Sequence, residues 1–267
     1  MAKKIVSVVY GAGAYVLFLG AFLYLIAFAT NVAPHSVSGS PSLPPLLAAL
    51  GDVALIILFG LQHGIMARPG FKRWWTRFVP PHLERSTFVW FAAALVIAIV
   101  QFWQPIEGDL WNVTGAGRIA LYMISLFGFL TVPVTSFLTD HFELFGLRQV
   151  FEYALGRPPH QPEFKERALY KKVRHPMMLG FLLAFWATPH LTVGHLLFAG
   201  LMTSYILIGI YFEERDLART HGQAYRDYQM RVPKLVPFGG LGGTAAKSAR
   251  DQGRDGAELL LKGGKTT

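Results

Sequence analysis

The run Tyr170-Lys171-Lys172-Val173-Arg174-His175-Pro176 closes a polar segment, and Glu213-Glu214 opens the next one. Between them, Met177–Phe212 covers 36 residues without Asp, Glu, Lys or Arg. A guanidinium beside the first turn of a helix suits a carboxylate. Arg offers paired charge-assisted donors, and the first helical N–H groups have no partner within their own helix. A carboxylate pair suits an amine, a ribose hydroxyl or a positive sulfur. S-Adenosylmethionine carries all of these groups, so the two clusters brought together would make a site for a sulfonium methyl donor. The same clusters also serve plain interfacial solvation, because bases ahead of a membrane span and acids after one are common. Spacing alone leaves both readings standing.

A fold that joins the clusters must return the chain to its starting face. Met177–Phe212 is too long for one span and barely long enough for two, since a membrane helix takes roughly 20 residues. Thr188-Pro189-His190 and Gly194 interrupt it near the middle. The pattern predicts a helical hairpin, Met177–Thr188 and Val193–Phe212, with a short first arm. Its return sets Glu213 at the level of Arg174.

Composition fits that setting. Of 267 residues, 52% are hydrophobic and 15% charged, with 21 Phe, which excludes an ordinary soluble enzyme and suits a polytopic membrane protein. The net charge of +9 sits in short loops beside apolar runs, so orientation in the membrane accounts for it and nucleic acid is not called for. With no Cys, a disulfide framework and thiolate chemistry are excluded. Four spans are expected, Ile5–Thr30, Leu46–Met66, Ser86–Ile106 and Ile119–Thr139. The first, 26 uncharged residues, is longer than the apolar core of a signal peptide and reads as retained. The Arg68–Arg85 loop carries five basic residues and one acidic, and the Asp140–Pro176 segment seven and five. Both belong with Lys3-Lys4 on the cytoplasmic side, while the acidic Glu107–Gly117 loop lies outside. The fold class is therefore all-α: a polytopic helical bundle of four full spans (residues 1–139) followed by a cofactor-binding core (140–238) with cytoplasmic helices and the hairpin. The Gly-rich tail, 239–267, reads as disordered.

A methyl acceptor that carries a proton must lose it before or during the transfer, so a base beside the site would be needed. Three side chains near the cytoplasmic ends of spans are candidate bases: His63, Asp140 and His141. For His63 the alternative is an interhelical hydrogen bond, and for Asp140-His141 a solvated helix end. Asp52 is expected to pair with a polar neighbour, and His190 and His195 to solvate the hairpin turn. No dinucleotide or P-loop fingerprint is present.

Arg174-His175-Pro176-x-x-x-Gly180, then Glu213-Glu214-x-x-Leu217, His221-Gly222-x-x-Tyr225-x-x-Tyr228 and Val232-Pro233…Pro237 resemble the isoprenylcysteine carboxyl methyltransferase superfamily, although Met178 stands where that family has an aromatic residue. Upstream, Gln62-His63-Gly64-x-Met66-Ala67-Arg68-Pro69, Phe71–Arg77, Glu84–Thr87, His141–Val150 and Phe185–Pro189 are similar to the bacterial methanethiol S-methyltransferases, which make dimethyl sulfide. The resemblance implies S-adenosylmethionine as cofactor and methanethiol as substrate. It also implies cofactor contacts from Arg148, Gln149, Tyr170, Val173, Arg174, His175, Gly180, Glu213, Glu214 and Tyr225, within the bacterial cell membrane. Other readings are the same fold acting on a lipid or isoprenyl acceptor, and a haem-binding subunit using His63 and His141. A transporter reading lacks duplicated halves with broken helices.

Overall fold

The computed structural model describes residues 1–160 and 168–237. Five long apolar helices dominate: α1 (Ala2–Ala29), α2 (Pro45–Met66), α4 (Pro81–Phe102), α5 (Gly115–Thr139) and α9 (Val193–His221). Shorter elements are α3 (Pro69–Trp75), α6 (His141–Leu144), α7 (Leu147–Leu155), a 3-10 turn (Ala168–Lys171), α8 (Pro176–Trp186) and α10 (Gln223–Arg231). Proline opens α2, α3, α4 and α8, where its missing N–H costs no helical hydrogen bond. The outward faces keep large apolar side chains exposed, among them Val16, Leu23, Ile57, Phe127 and Ile208. In water that pattern is unfavourable, and in a bilayer it is the stable one. The chain is a multi-pass membrane protein, and the expected spans and hairpin are borne out.

The third span and the second hairpin arm depart furthest from expectation. The third span begins at Pro81 instead of Ser86 and ends at Phe102. The second hairpin arm does not stop at Phe212 but continues as helix to His221, so Glu213 and Glu214 lie inside α9. The first arm, α8, has 11 residues. It rises roughly 16 Å, about half of a bilayer core. A strand pair closes the space beyond it: β1 (Asp109–Asn112) runs antiparallel to β2 (His190–Thr192), with Trp111 opposite Leu191. His190 Nε2 lies 2.8 Å from Asp109 Oδ1 across this pair. His195 is fully buried and its Nε2–H donates to the Phe185 carbonyl at 2.8 Å, so it does not solvate the turn. At the same end Asp52 Oδ1 accepts the Gln104 N–H at 2.8 Å, the expected polar pairing.

The helix ends opposite this strand pair hold Lys3, Arg68, Lys72, Arg85 and the described residues 140–160 and 168–176, and are called the basic end below. α1 and α4 both start there and run side by side, joined by Ser7–His82 at 3.1 Å and Tyr10–Thr87 at 3.1 Å. α5 and α8 cross backbone to backbone. A Cβ added to Gly180 would sit 2.7 Å from the Gly128 carbonyl, and one on Gly128 would sit 2.5 Å from the Gly180 carbonyl. Close approach through small residues is how membrane helices gain contact. That contact accounts for glycine at 180 without any ligand. Gly180→Ala should therefore destabilise the protein by about 1–3 kcal/mol through overpacking. A lowered melting temperature in detergent checks this, and an unchanged one would remove the crossing as the reason for Gly180.

Candidate functional site

The two charged clusters meet at the basic end. Pro176 starts α8, and the residues before it are tied to the chain's last described segment. The Arg174 N–H donates to the Pro233 carbonyl at 2.9 Å, and the His175 N–H to the Lys234 carbonyl at 3.1 Å. α9 brings Glu214 to the same place on its inward face, in line with buried Ile206 and Ile210. Glu214 Oε1 lies 2.8 Å from Arg174 Nε, an ion pair not aligned as a hydrogen bond, and 3.0 Å from His175 Nε2. Glu214 Oε2 accepts from Gln229 Nε2 at 3.3 Å and has Lys234 Nζ at 3.7 Å. Arg174 Nη1 donates to the Gln229 carbonyl at 2.6 Å. The Glu214 carboxylate is thus saturated by four side chains from three segments.

Glu213 is different. Its Oε2 is 3.6 Å from His175 Nδ1, a long contact, and its side chain is 47% exposed against 11% for Glu214. Its carboxylate is therefore the open one of the pair. Tyr170 lies near it and near Thr139 at the end of α5. Burial raises the Tyr170 pKa above its ordinary value, and the Glu213 charge adds to this. The Tyr228 hydroxyl donates to the Tyr170 carbonyl at 2.6 Å, so α10 holds the 3-10 turn in place. Tyr225 is 1% exposed and packs with Tyr228 and Val232. Burial first, then Glu214 and Glu213, push its hydroxyl pKa upward. Val173 is buried under this turn. Gln229 and Lys234 complete the site, and sequence reasoning did not assign them; their signal was the Val232-Pro233…Pro237 segment lying so near α9 in sequence.

A second group sits at α6 and α7. Asp140 caps α6, accepting the Glu143 N–H at 3.1 Å, and pairs with Arg148. Arg148 also lies 3.8 Å from Glu143 and 3.9 Å from Glu152. Three carboxylates therefore surround this one guanidinium. Gln149 Nε2 donates to the Glu143 carbonyl at 3.2 Å, leaving a buried Oε1 without a partner. His141 is buried, with Nε2 at 2.7 Å from the Tyr15 hydroxyl and Nδ1 at 2.8 Å from Ser136 Oγ. Burial lowers its pKa despite the nearby Asp140.

His141 carries a pH prediction. Its folded pKa lies below the ordinary 6.5, so the unfolded chain takes up a proton first as pH falls. Its contribution to stability is complete above 6.5 and is lost on acidification below that value. The melting temperature should fall between neutral pH and mildly acidic pH, and His141→Phe should flatten that slope. An equal slope in both proteins would refute the assignment.

His63 lies one turn from the basic end of α2. Its ring packs 4.8 Å from Phe88, 5.3 Å from Phe59 and 6.0 Å from Tyr205. Its Nδ1 is buried with no partner. Of the three candidate bases, His63 has an open ring nitrogen, while Asp140 and His141 are committed to neighbours.

These features define a polytopic helical membrane protein with a buried ion-pair network and an open carboxylate at its basic end. Residues 53–240 match the model of the NnrU protein family. The chain belongs to that family. It is 45% identical over 238 residues to a protein named methanethiol S-methyltransferase from Mycobacterium tuberculosis, covering 88% of this chain and 98% of that one. A methanethiol S-methyltransferase of Crocosphaera subtropica is 42% identical over 231 residues, 86% of this chain and 91% of that one. Nurim of Rattus norvegicus is 27% identical over 195 residues, 69% of this chain and 74% of that protein. No solved structure matches it. The resemblance read from the upstream motifs is borne out by the names of these relatives.

Proposed function

We propose that the protein is an S-adenosylmethionine-dependent methyltransferase that converts methanethiol to dimethyl sulfide, with its basic end on the cytoplasmic side of a bacterial cell membrane. The observation that carries this reading is the 45% identity to a named methanethiol S-methyltransferase along 98% of that protein's length. The basic loops at one end support the orientation.

The donor set fits S-adenosylmethionine. Glu213 offers an open carboxylate for an ammonium, a sulfonium or ribose hydroxyls, with Tyr170 near it. The unpartnered Gln149 Oε1 offers a further acceptor. When bound, the group supplies an electrophilic methyl carbon. Arg174, His175, Gln229 and Lys234 fix Glu214, and through it they fix the turn of α9 that carries Glu213. Phe59, Phe88 and Tyr205 shield His63 from water, and its Nδ1 accepts the thiol proton. Positioning and exclusion of water supply the rest of the acceleration. The haem reading loses support because both ring nitrogens of His141 are already hydrogen-bonded.

The test is direct. Purified protein given S-adenosylmethionine and methanethiol should release dimethyl sulfide into the headspace. Methylation of an isoprenylated or lipid acceptor with no dimethyl sulfide would overturn the substrate assignment.

A further inference from the structure

Arg85 stands in the first turns of α4, only partly exposed. Its Nε–H donates to the Leu144 carbonyl at 2.6 Å. Among the described residues no carboxylate lies within ion-pair distance of its guanidinium; Glu84 and Glu143 are the nearby acids. Lys72 of α3 is a second cation close by, with its pKa lowered by burial and then by Arg85. Arg85 and Lys72 are like charges held near each other, and both side chains are only partly exposed, so each lacks part of its hydration. Both conditions are relieved if an anion binds there.

The surroundings indicate which anion. Arg85 Cζ lies 4.7 Å from the Phe88 ring centroid, and the His63 ring lies 4.8 Å from the same ring. Trp75 packs in the cluster that contains Phe88 and Met66, and its indole N–H is buried with no acceptor. An indole nitrogen can only donate. The subsite thus offers a cation, a lone donor, an apolar wall and an open imidazole nitrogen. An amino-acid carboxylate has no use for an adjacent base, and its ammonium would meet Arg85 and Lys72. A small thiol uses every feature, with its methyl on the wall and its sulfur on the donors.

Resting on the methyltransferase reading above, we propose that Arg85 and Trp75 form the acceptor's anion subsite, holding the substrate sulfur as thiolate against Phe88 while His63 Nδ1 takes its proton. The thiol S–H bond breaks with its proton going to His63. The thiolate sulfur then bonds to the sulfonium methyl as the old C–S bond breaks, that electron pair returning to the donor sulfur. Dimethyl sulfide and a neutral thioether leave, and His63 loses its proton to solvent. The charged groups facing Arg85 are His63 from α2, Lys72 from α3, Glu84 from its own helix and Glu143 from α6.

The experiment titrates methanethiol bound to the purified protein in nanodiscs without methyl donor, following the ultraviolet thiolate band. Wild type should hold roughly ten- to a thousand-fold more thiolate at a given pH than free methanethiol does. Arg85→Gln should lose that excess and keep its S-adenosylmethionine affinity by calorimetry. In the loaded enzyme its kcat/KM should fall roughly 10–100-fold at neutral pH and recover as the free thiol ionises. A wild-type thiolate titration in Arg85→Gln overturns the proposal, and so does loss of S-adenosylmethionine binding, which would assign Arg85 to the donor's carboxylate. Trp75→Phe keeps the charge and the packing, so it decides even where Arg85→Gln folds poorly: less thiolate supports the subsite and equal thiolate overturns it. If wild type makes no dimethyl sulfide at all, the functional reading fails and the subsite with it; if wild type turns over and both variants titrate as wild type, only the subsite fails.

Discussion

Glu214→Ala should lower the unfolding free energy by about 3–5 kcal/mol, whereas Glu213→Gln should leave it nearly unchanged and remove methyl-donor binding. The two residues are neighbours in α9, so composition and local sequence do not separate them. Their surroundings do. Glu214 is 8% exposed and receives Arg174, His175, Gln229 and Lys234. Removing its carboxylate strands Arg174, whose side chain is 10% exposed, as a buried cation with no counter-charge. The same change frees α10 and the Pro233–Lys234 segment, because Glu214 is what Gln229 and Lys234 reach. Glu213 has one long contact, at 3.6 Å from His175, and an open side chain. Glutamine there keeps the volume and loses the charge. Donor binding measured by calorimetry, beside melting temperatures in detergent, separates the roles. If Glu213→Gln binds the donor as wild type does, that residue is not part of the site. If Glu214→Ala melts as wild type does, the ion-pair network does not hold the basic end together.

The spans were legible because a membrane helix is a simple signal, an apolar run ended by charge. The same rule misplaced the end of α9. Glu213-Glu214 looked like a terminus because acids end apolar runs. In the structure Glu214 is matched by partners from the two residues that precede α8, from α10 and from the segment after it, so the helix continues through the pair. The strand pair was not legible, since Asp109–Asn112 becomes a strand only when His190–Thr192 arrives beside it, some 80 residues later. Arg174 and His175 were found because they open a span at a fixed distance from the acids. Arg85 was hidden as one basic residue among five in its loop. One signal was available: it lies in the first turns of α4, at the positive end of the helix dipole, where a cation is disfavoured unless something else needs it.

His63→Gln should reduce turnover of methanethiol roughly 10²–10⁴-fold near neutral pH, the usual span for a lost general base. The decisive observation is how that deficit changes with pH. In wild type the rate follows the neutral fraction of His63, which stops rising once pH passes the imidazole's own pKa. In the variant the rate follows the thiolate fraction set by the thiol alone, which keeps rising about tenfold per pH unit until the thiol is ionised. The gap between the two proteins should therefore be constant in acid, narrow steadily above the imidazole pKa, and close near the thiol pKa. Glutamine fills similar space and can still hydrogen-bond, so a loss caused by packing against Phe59, Phe88 and Tyr205 would be the same at every pH. Such a uniform loss would remove His63 as the base. His141→Gln provides the contrast. Both of its ring nitrogens are bound, to Tyr15 and Ser136, so its replacement should change stability and leave the shape of the pH–rate profile as it is. A narrowing gap for His141→Gln and a flat one for His63→Gln would exchange their roles.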